Sequence, residues 1–354
     1  MVTRRNFLQT SLMASAGAAL LNPEALASDH LEKDNISFDL HAHPGSFFGR
    51  GQKDYGGDAA VMKTIGEMNA GRLSGAFFSL IADAILLERT PTGIVPTRSY
   101  QAGEGWKEYL RQMEAAKQVL RTMPVSISTK AVDLDKAVVN KKVAAFIACE
   151  GGDFLDGNAS LLDQMYEDGV RSVQLVHYAP NVLGDLQTSE PQHNGLSKSG
   201  KEVVARMNKL GMVIDVAHAS FKTVQDVTDL TSAPIILSHS ILKMEESRPL
   251  SKRAISVDHA KLIAKTGGVI GAWPSGFNNS FEEFVDNTLR LVEVVGIDHV
   301  GLGTDMDGNF KPVLSSYLQL PKWIEGLQSK GLSAEEAGKI AGGNARRVLG
   351  QVLK

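Results

Sequence analysis

Eight short apolar runs recur along the chain: Ile36–His43, Gly75–Ile81, Val143–Glu150, Val170–His177, Met212–His218, Pro234–His239, Val269–Trp273 and His299–Asp305. Several are continuous rather than alternating, for example Val-Ala-Ala-Phe-Ile-Ala from Val143 and Met-Val-Ile-Asp-Val-Ala from Met212. Strands buried on both faces of a parallel sheet read in this way. Between the runs lie stretches with helical spacing of apolar positions, at Leu161–Asp168, Lys201–Leu210, Phe221–Leu230, Asp258–Lys265 and Phe281–Val295. Glycines at Gly169, Gly211, Gly267–Gly268 and Gly296 follow them, where a left-handed residue closes a helix. Strand and helix in alternation, eight times over, predict an α/β fold of the (β/α)8 TIM-type barrel class. Two segments interrupt the alternation. Residues 82–104, rich in Gly, Pro and Thr, precede a helix near Trp106–Leu120, and residues 179–197 follow the fourth strand. Both fall on the side where the active site of a barrel opens, as rim segments or as plain surface loops.

The first residues stand outside this pattern. Thr3-Arg4-Arg5-Asn6-Phe7-Leu8 precedes a small-residue apolar run from Ser11 to Leu21, and Ala25-Leu26-Ala27 gives the small-x-small pattern of a signal peptidase site. Together these read as a twin-arginine (Tat) signal peptide over residues 1–27, removed on export to the periplasm or beyond, with residues 28–354 as one barrel domain. The apolar run is shorter than the roughly 20 residues that span a bilayer, and no later segment reads as transmembrane. Without residues 1–27 the chain carries 35 basic against 39 acidic residues, which gives no basis for nucleic-acid binding. Cys149 is the only cysteine, so no internal disulfide forms.

Polar residues sit at the carboxyl ends of the apolar runs. His41 and His43 end the first, Glu150 the third, His177 the fourth, His218 the fifth, His239 the sixth and Asp305 the eighth. Ionisable side chains there are costly unless paired or bound to something, and six strands bringing them to one mouth point to a metal site. Two residues apart in a strand, His41 and His43 project to the same side and reach one ion. Four imidazoles and the Glu150 carboxylate suit zinc, with manganese, iron or cobalt as alternatives. Glu150 has two oxygens and can bridge two ions that clamp a hydroxide. Asp305 is placed to move a proton between water and leaving group, or to cap a turn; Asp307 competes for the same role. His177 either stabilises an oxyanion or is a satisfied core histidine. His30, His193, His259 and His299 read as structural.

In context these residues resemble the membrane (renal-type) dipeptidase family, the M19 metallopeptidases. The matching segments are Phe38-Asp39-Leu40-His41, Cys149-Glu150-Gly151-Gly152, Gly169-Val170-Arg171 through His177, Gly195-Leu196-Ser197 through His218, Pro234 through Ser240, Gly296 through Asp305, and Gly342-Gly343-Asn344. The resemblance implies a binuclear zinc barrel that hydrolyses dipeptides. His41 and the residue two after it would bind one zinc, His218 and His239 the other, and Glu150 both. It implies that His177 binds the substrate or the tetrahedral intermediate, that Arg248 grips the substrate carboxylate and that Asp305 handles protons. The chain departs from the family in carrying His43 where an aspartate is usual, and in the spacing and neighbours of Arg248. The expected function is therefore that of an exported dipeptidase, with the dipeptide and the Tat machinery as partners; the sequence gives no basis for an oligomeric state, and a homo-oligomer stays open because barrels of this type commonly associate. A hydrolase of lactones, non-peptide amides or phosphoesters is the alternative, and a non-catalytic metal-binding protein the third reading.

Overall fold

In the computed structural model, which describes residues 36–353 apart from 54, 91–92 and 246, parallel pairing carries the chain round a closed ring. The leader read at residues 1–27 lies outside the described residues. In chain order the strands are β1 (Phe38–Ala42), β2 (Gly75–Ile81), β3 (Leu87–Thr90), β4 (Gly93–Pro96), β5 (Val125–Ile127), β6 (Val143–Glu150), β7 (Val170–Gln174), β8 (Val213–Asp215), β9 (Ile236–Ser240), β10 (Val269–Ala272) and β11 (Val300–Leu302). Eight of them, β1, β2 and β6 to β11, make the barrel, closed where β2 pairs with β6. These are the eight apolar runs of the sequence, and the fold is the expected (β/α)8 barrel.

The helices are α1 (Asp58–Ala70), α2 (Glu104–Leu120), α3 (Ala131–Val139), α4 (Leu161–Glu167), α5 (Lys198–Leu210), α6 (Phe221–Leu230), α7 (Val257–Lys265), α8 (Phe281–Val295), α9 (Leu320–Ser329), α10 (Ala334–Gly338) and α11 (Asn344–Val352). Four consecutive ones, α5 to α8, start on a serine whose hydroxyl accepts the amide proton three residues on: Ser197, Ser220, Ser256 and Ser280. Each cap satisfies an amide that the helix cannot, and so fixes where the chain turns from loop into helix.

Two elements escape the sequence pattern. β5 is three residues long and pairs with the first half of β6, on the side that β7 takes from Ile147 onward. The 82–104 segment holds β3 and β4 as an antiparallel hairpin. Its strands are largely solvent-facing, so no apolar alternation marks them.

Inside the barrel, Phe38, Phe77 and Phe146 meet edge to face with ring centroids 5.4 to 6.1 Å apart. The same cluster takes in the strand starts Val213, Ile236 and Val269 and the apolar face of α11 (Ala345, Val348, Leu349). The end where the strands begin is thus filled with hydrocarbon, and the polar residues collect at the other. Near that other end the backbones close up: a Cβ at Gly271 or Gly303 would overlap the Ser238 carbonyl oxygen. That close approach sets the position of β9, which carries His239.

Gly303→Ala should destabilise the apo-protein by about 1–3 kcal/mol, read as a lower urea midpoint, because backbone on both sides cannot yield. Gly350→Ala, at a helical position with nothing within 4 Å, should raise stability by about 0.5–1 kcal/mol. Equal midpoints for the two variants would contradict the packing described.

Candidate metal centre

The parallel ladder continues beyond the ends of β1 and β11. The Asp305 amide donates to the His41 carbonyl and the His43 amide to the Met306 carbonyl, both at 2.9 Å. This pairing lays Asp305 beside His43, with Oδ1 3.5 Å from Nε2. Asp305 and His218 both adopt left-handed backbone, φ +52° and +65°, at the exits of their strands. Non-glycine residues pay for that conformation, and here it turns their side chains back over the barrel mouth.

Glu150 stands at the middle. Its carboxylate lies 3.3 Å from Nε2 of His41, His43 and His177, 3.4 Å from that of His218 and 3.8 Å from that of His239. All six side chains are at least nine-tenths buried. The Nε2 atoms also pair off, His41 with His43 and His218 with His239, each pair 3.1 Å apart. Burial pushes the Glu150 carboxyl up, but the imidazoles, His177 and His41 first, outweigh it and hold it well below the usual carboxylate range. Burial holds His218 and His239 well below the ordinary imidazole value, helped by Arg253 and His177 for His218 and by His41 and His218 for His239. Both rings are therefore neutral. His43 is the opposite case: burial lowers it, yet hydrogen bonding to Asp305 and Glu150 raises it to about 10.

These observations fit a divalent metal. Two neutral imidazoles with lone pairs facing each other at 3.1 Å repel unless a cation or a proton lies between them. Outer ring nitrogens are held as those of metal-bound histidines are held, except that of His218, whose Nδ1 has no hydrogen-bond partner. His43 Nδ1 donates to the Ser79 carbonyl at 2.8 Å, His239 Nδ1 lies 3.0 Å from Ser238 Oγ, and His177 Nδ1 donates to Asp83 Oδ1 at 2.6 Å. Three overlapping donor groups recur: His41, His43 and Asp305; His41, Glu150 and His239; Glu150, His177 and His218.

All seven candidates from the strand ends converge here. Arg248 does not join them. Its guanidinium pairs with Glu283 at 2.6 Å and with the Phe277 carbonyl at 3.2 Å, and that ion pair takes up the charge that the resemblance reserved for a substrate. The guanidinium at the centre is that of Arg253, 2% exposed, with Nη2 3.3 Å from His239 Nε2 and Nη1 donating to Gln187 Oε1 at 2.5 Å. Its Nε has no hydrogen-bond partner, while the guanidinium also donates to Tyr178. Nothing in Ser251-Lys252-Arg253 by itself marks Arg253 for the site. Gln187 from the 179–197 segment, together with Tyr178, His239 and Trp273, closes round it. Asp307 is taken up elsewhere, accepting from the Gly45 amide and Thr64 Oγ1, both at 2.7 Å. His193 and His299 bond backbone carbonyls of Asn181 and Gly268. His259 is buried in α7, and His30 lies outside the described residues.

Comparison with known proteins follows the same lines. The chain matches the membrane dipeptidase family, peptidase family M19, over residues 27–354. It is 32% identical over 240 residues to dipeptidase tcpJ of Claviceps purpurea, covering 64% of this chain and 55% of that protein. Dipeptidase aclJ of Aspergillus oryzae is 32% identical over 222 residues, covering 60% and 52%. The chain thus spans about half the length of these two curated relatives. A metallopeptidase of Rhodobacter sphaeroides, solved with a phosphinate mimic of the dipeptide L-Ala-D-Ala, shares the fold with a TM-score of 0.76. Its identity is 20%, over 90% of this chain and 99% of that one. With a buried histidine–carboxylate centre at the mouth of a (β/α)8 barrel and a family match from residue 27 to the last, this chain belongs to the membrane dipeptidase family, peptidase family M19.

Proposed function

We propose that the chain is a dipeptidase that works with two divalent ions, zinc first among them, at the Glu150 centre. The observation that carries this reading is the division of the imidazole nitrogens into two close pairs around one carboxylate. His41 and His43 would hold one ion, His218 and His239 the other, and Glu150 both. The dipeptide comes from the relatives, two of which are named dipeptidases, and from the structurally similar metallopeptidase with its dipeptide mimic.

When bound, such metals supply Lewis acidity and lower the pKa of water. The protein supplies the rest. Asp305, beside His43, takes the proton that the attacking water loses and returns it to the departing amine nitrogen as the C–N bond breaks. His177 stabilises the oxyanion formed from the scissile carbonyl. Burial lowers its basicity, but the charges of Asp83 and Glu150 raise it further. Arg253, not Arg248, pairs with the substrate carboxylate: it is buried, faces the centre and retains an unpartnered N–H. His43 in place of a carboxylate leaves the centre about one unit more positive, which favours an anionic substrate there. Residues 1–27 would act as an export leader; the family match begins at residue 27, where the leader ends.

The purified protein should hold two transition-metal ions per chain by elemental analysis and lose its dipeptidase activity to a chelator. Zinc, manganese or cobalt should restore it. Full activity without metal, or turnover of lactones or phosphodiesters with none of any L,L- or L,D-dipeptide, would sink the reading. Arg253→Ala should lower kcat/KM for dipeptides about 10- to 100-fold, the loss of one charge-assisted contact, while Arg248→Ala stays near the parent. The reverse ranking would return the carboxylate to Arg248. Expressed with its leader in a bacterium with a twin-arginine pathway, the protein should be recovered from the periplasm beginning at Ser28. Changing Arg4 and Arg5 to lysine should keep it in the cytoplasm, and unchanged export would refute the leader.

A further inference from the structure

Asp83 is fully buried at the start of the 82–104 insertion, and nothing in the proposed chemistry uses it directly. Both of its oxygens are committed. Oδ1 meets His177 Nδ1 at 2.6 Å, and Oδ2 accepts the amides of Tyr178 and Ala179 at 3.1 and 2.8 Å. Two backbone donors on one oxygen prevent the carboxylate from turning, so the other oxygen keeps its direction. A carboxylate offers no proton, so the proton of this contact sits on Nδ1 of the imidazole. The opposite nitrogen, Nε2, then faces Glu150 Oε1 at 3.3 Å.

The backbone that carries Asp83 is also fixed. The Ala82 amide donates to the Glu150 carbonyl at 2.8 Å, and Tyr100, near the far end of the same insertion, donates its hydroxyl to the Ala82 carbonyl at 2.5 Å. Nearby, burial and the Asp83 charge push the Asp153 carboxyl up to about 7.

We propose that Asp83 is the positioning residue of His177: it accepts the Nδ1 N–H, fixes the plane of the ring and so aims Nε2 at the carboxylate shared by the metal ligands. The insertion after β2 is then part of the reacting centre's geometry, not only its rim. This inference rests on the reading of His177 as a group that acts on the substrate.

The test uses the full-length, zinc-loaded protein with Asp83→Ala and Asp83→Asn, selective 15N labelling of histidine, and metal analysis. The His177 signals are assigned by their loss in His177→Asn. Asp83→Ala should lower kcat about 10- to 100-fold, the usual cost of removing a carboxylate behind a functional histidine. It should leave KM and metal content near parental, and shift the His177 Nδ1 resonance. Asp83→Asn keeps one acceptor but sets an NH2 group against two backbone amides, so it should fall between. It also stands in as the test variant if the alanine protein fails to fold. A folded, metal-loaded variant with parental kcat, or with the His177 Nδ1 resonance unmoved, overturns the proposal. So does loss of metal in step with activity, which would make His177 a ligand. If the parent hydrolyses no dipeptide, the dipeptidase reading fails by itself, and the Nδ1 resonance still decides whether Asp83 holds the ring.

Discussion

One buried carboxylate organises this molecule. Glu150 is 3% exposed and surrounded by five imidazoles, an arrangement that is tolerable only because each side offsets the desolvation of the other. An isolated carboxylate at the end of an all-apolar β6 would give up its charge. Among the histidines it keeps that charge, and by keeping it draws five strand ends toward one point. The ring of parallel strands is what allows this, since every strand delivers its last residue to the same face.

The centre is held from behind by backbone as much as by side chains. Ser79 lies in β2 and Asp83 just beyond it, Ser238 precedes His239 in β9, and the extended ladder between β1 and β11 seats Asp305 against His43. Asp39 anchors that ladder. It is wholly buried and accepts from the amides of His41 and Thr304, the Thr304 hydroxyl and the Tyr317 hydroxyl at 2.6 Å. Aromatic packing at one end and the glycine-lined closure near the other leave little room for the strands to slide. A metal centre of this kind needs fixed donors, and the fixing is done by elements that never touch the ion.

Much of this was legible in the chain. Period and composition gave all eight barrel strands, because strands buried on both faces leave unbroken apolar runs. The histidine–carboxylate set followed because a histidine or carboxylate ending such a run has no reason to be there unless it is paired. Asp83 obeys that same rule, two residues beyond β2, and the signal was present though unread. β5 and the β3–β4 hairpin left no signal: three residues show no period, and a hairpin that faces solvent has no apolar side to display.

The two arginines mark the boundary between what each level decides. The sequence by itself determined the barrel and the histidine–carboxylate set, since both follow from burial, which local pattern records. Which guanidinium faces the centre was decided only by the tertiary structure. Arg248 and Arg253 are five residues apart in a loop with no period, and each sits among polar neighbours. Their fates depend on what other segments bring: Glu283 from α8 takes up Arg248, while Gln187 and Tyr178 close over Arg253. Contacts made at long range by a loop leave no trace in the residues beside it, and the residue that would meet the substrate is chosen by those contacts.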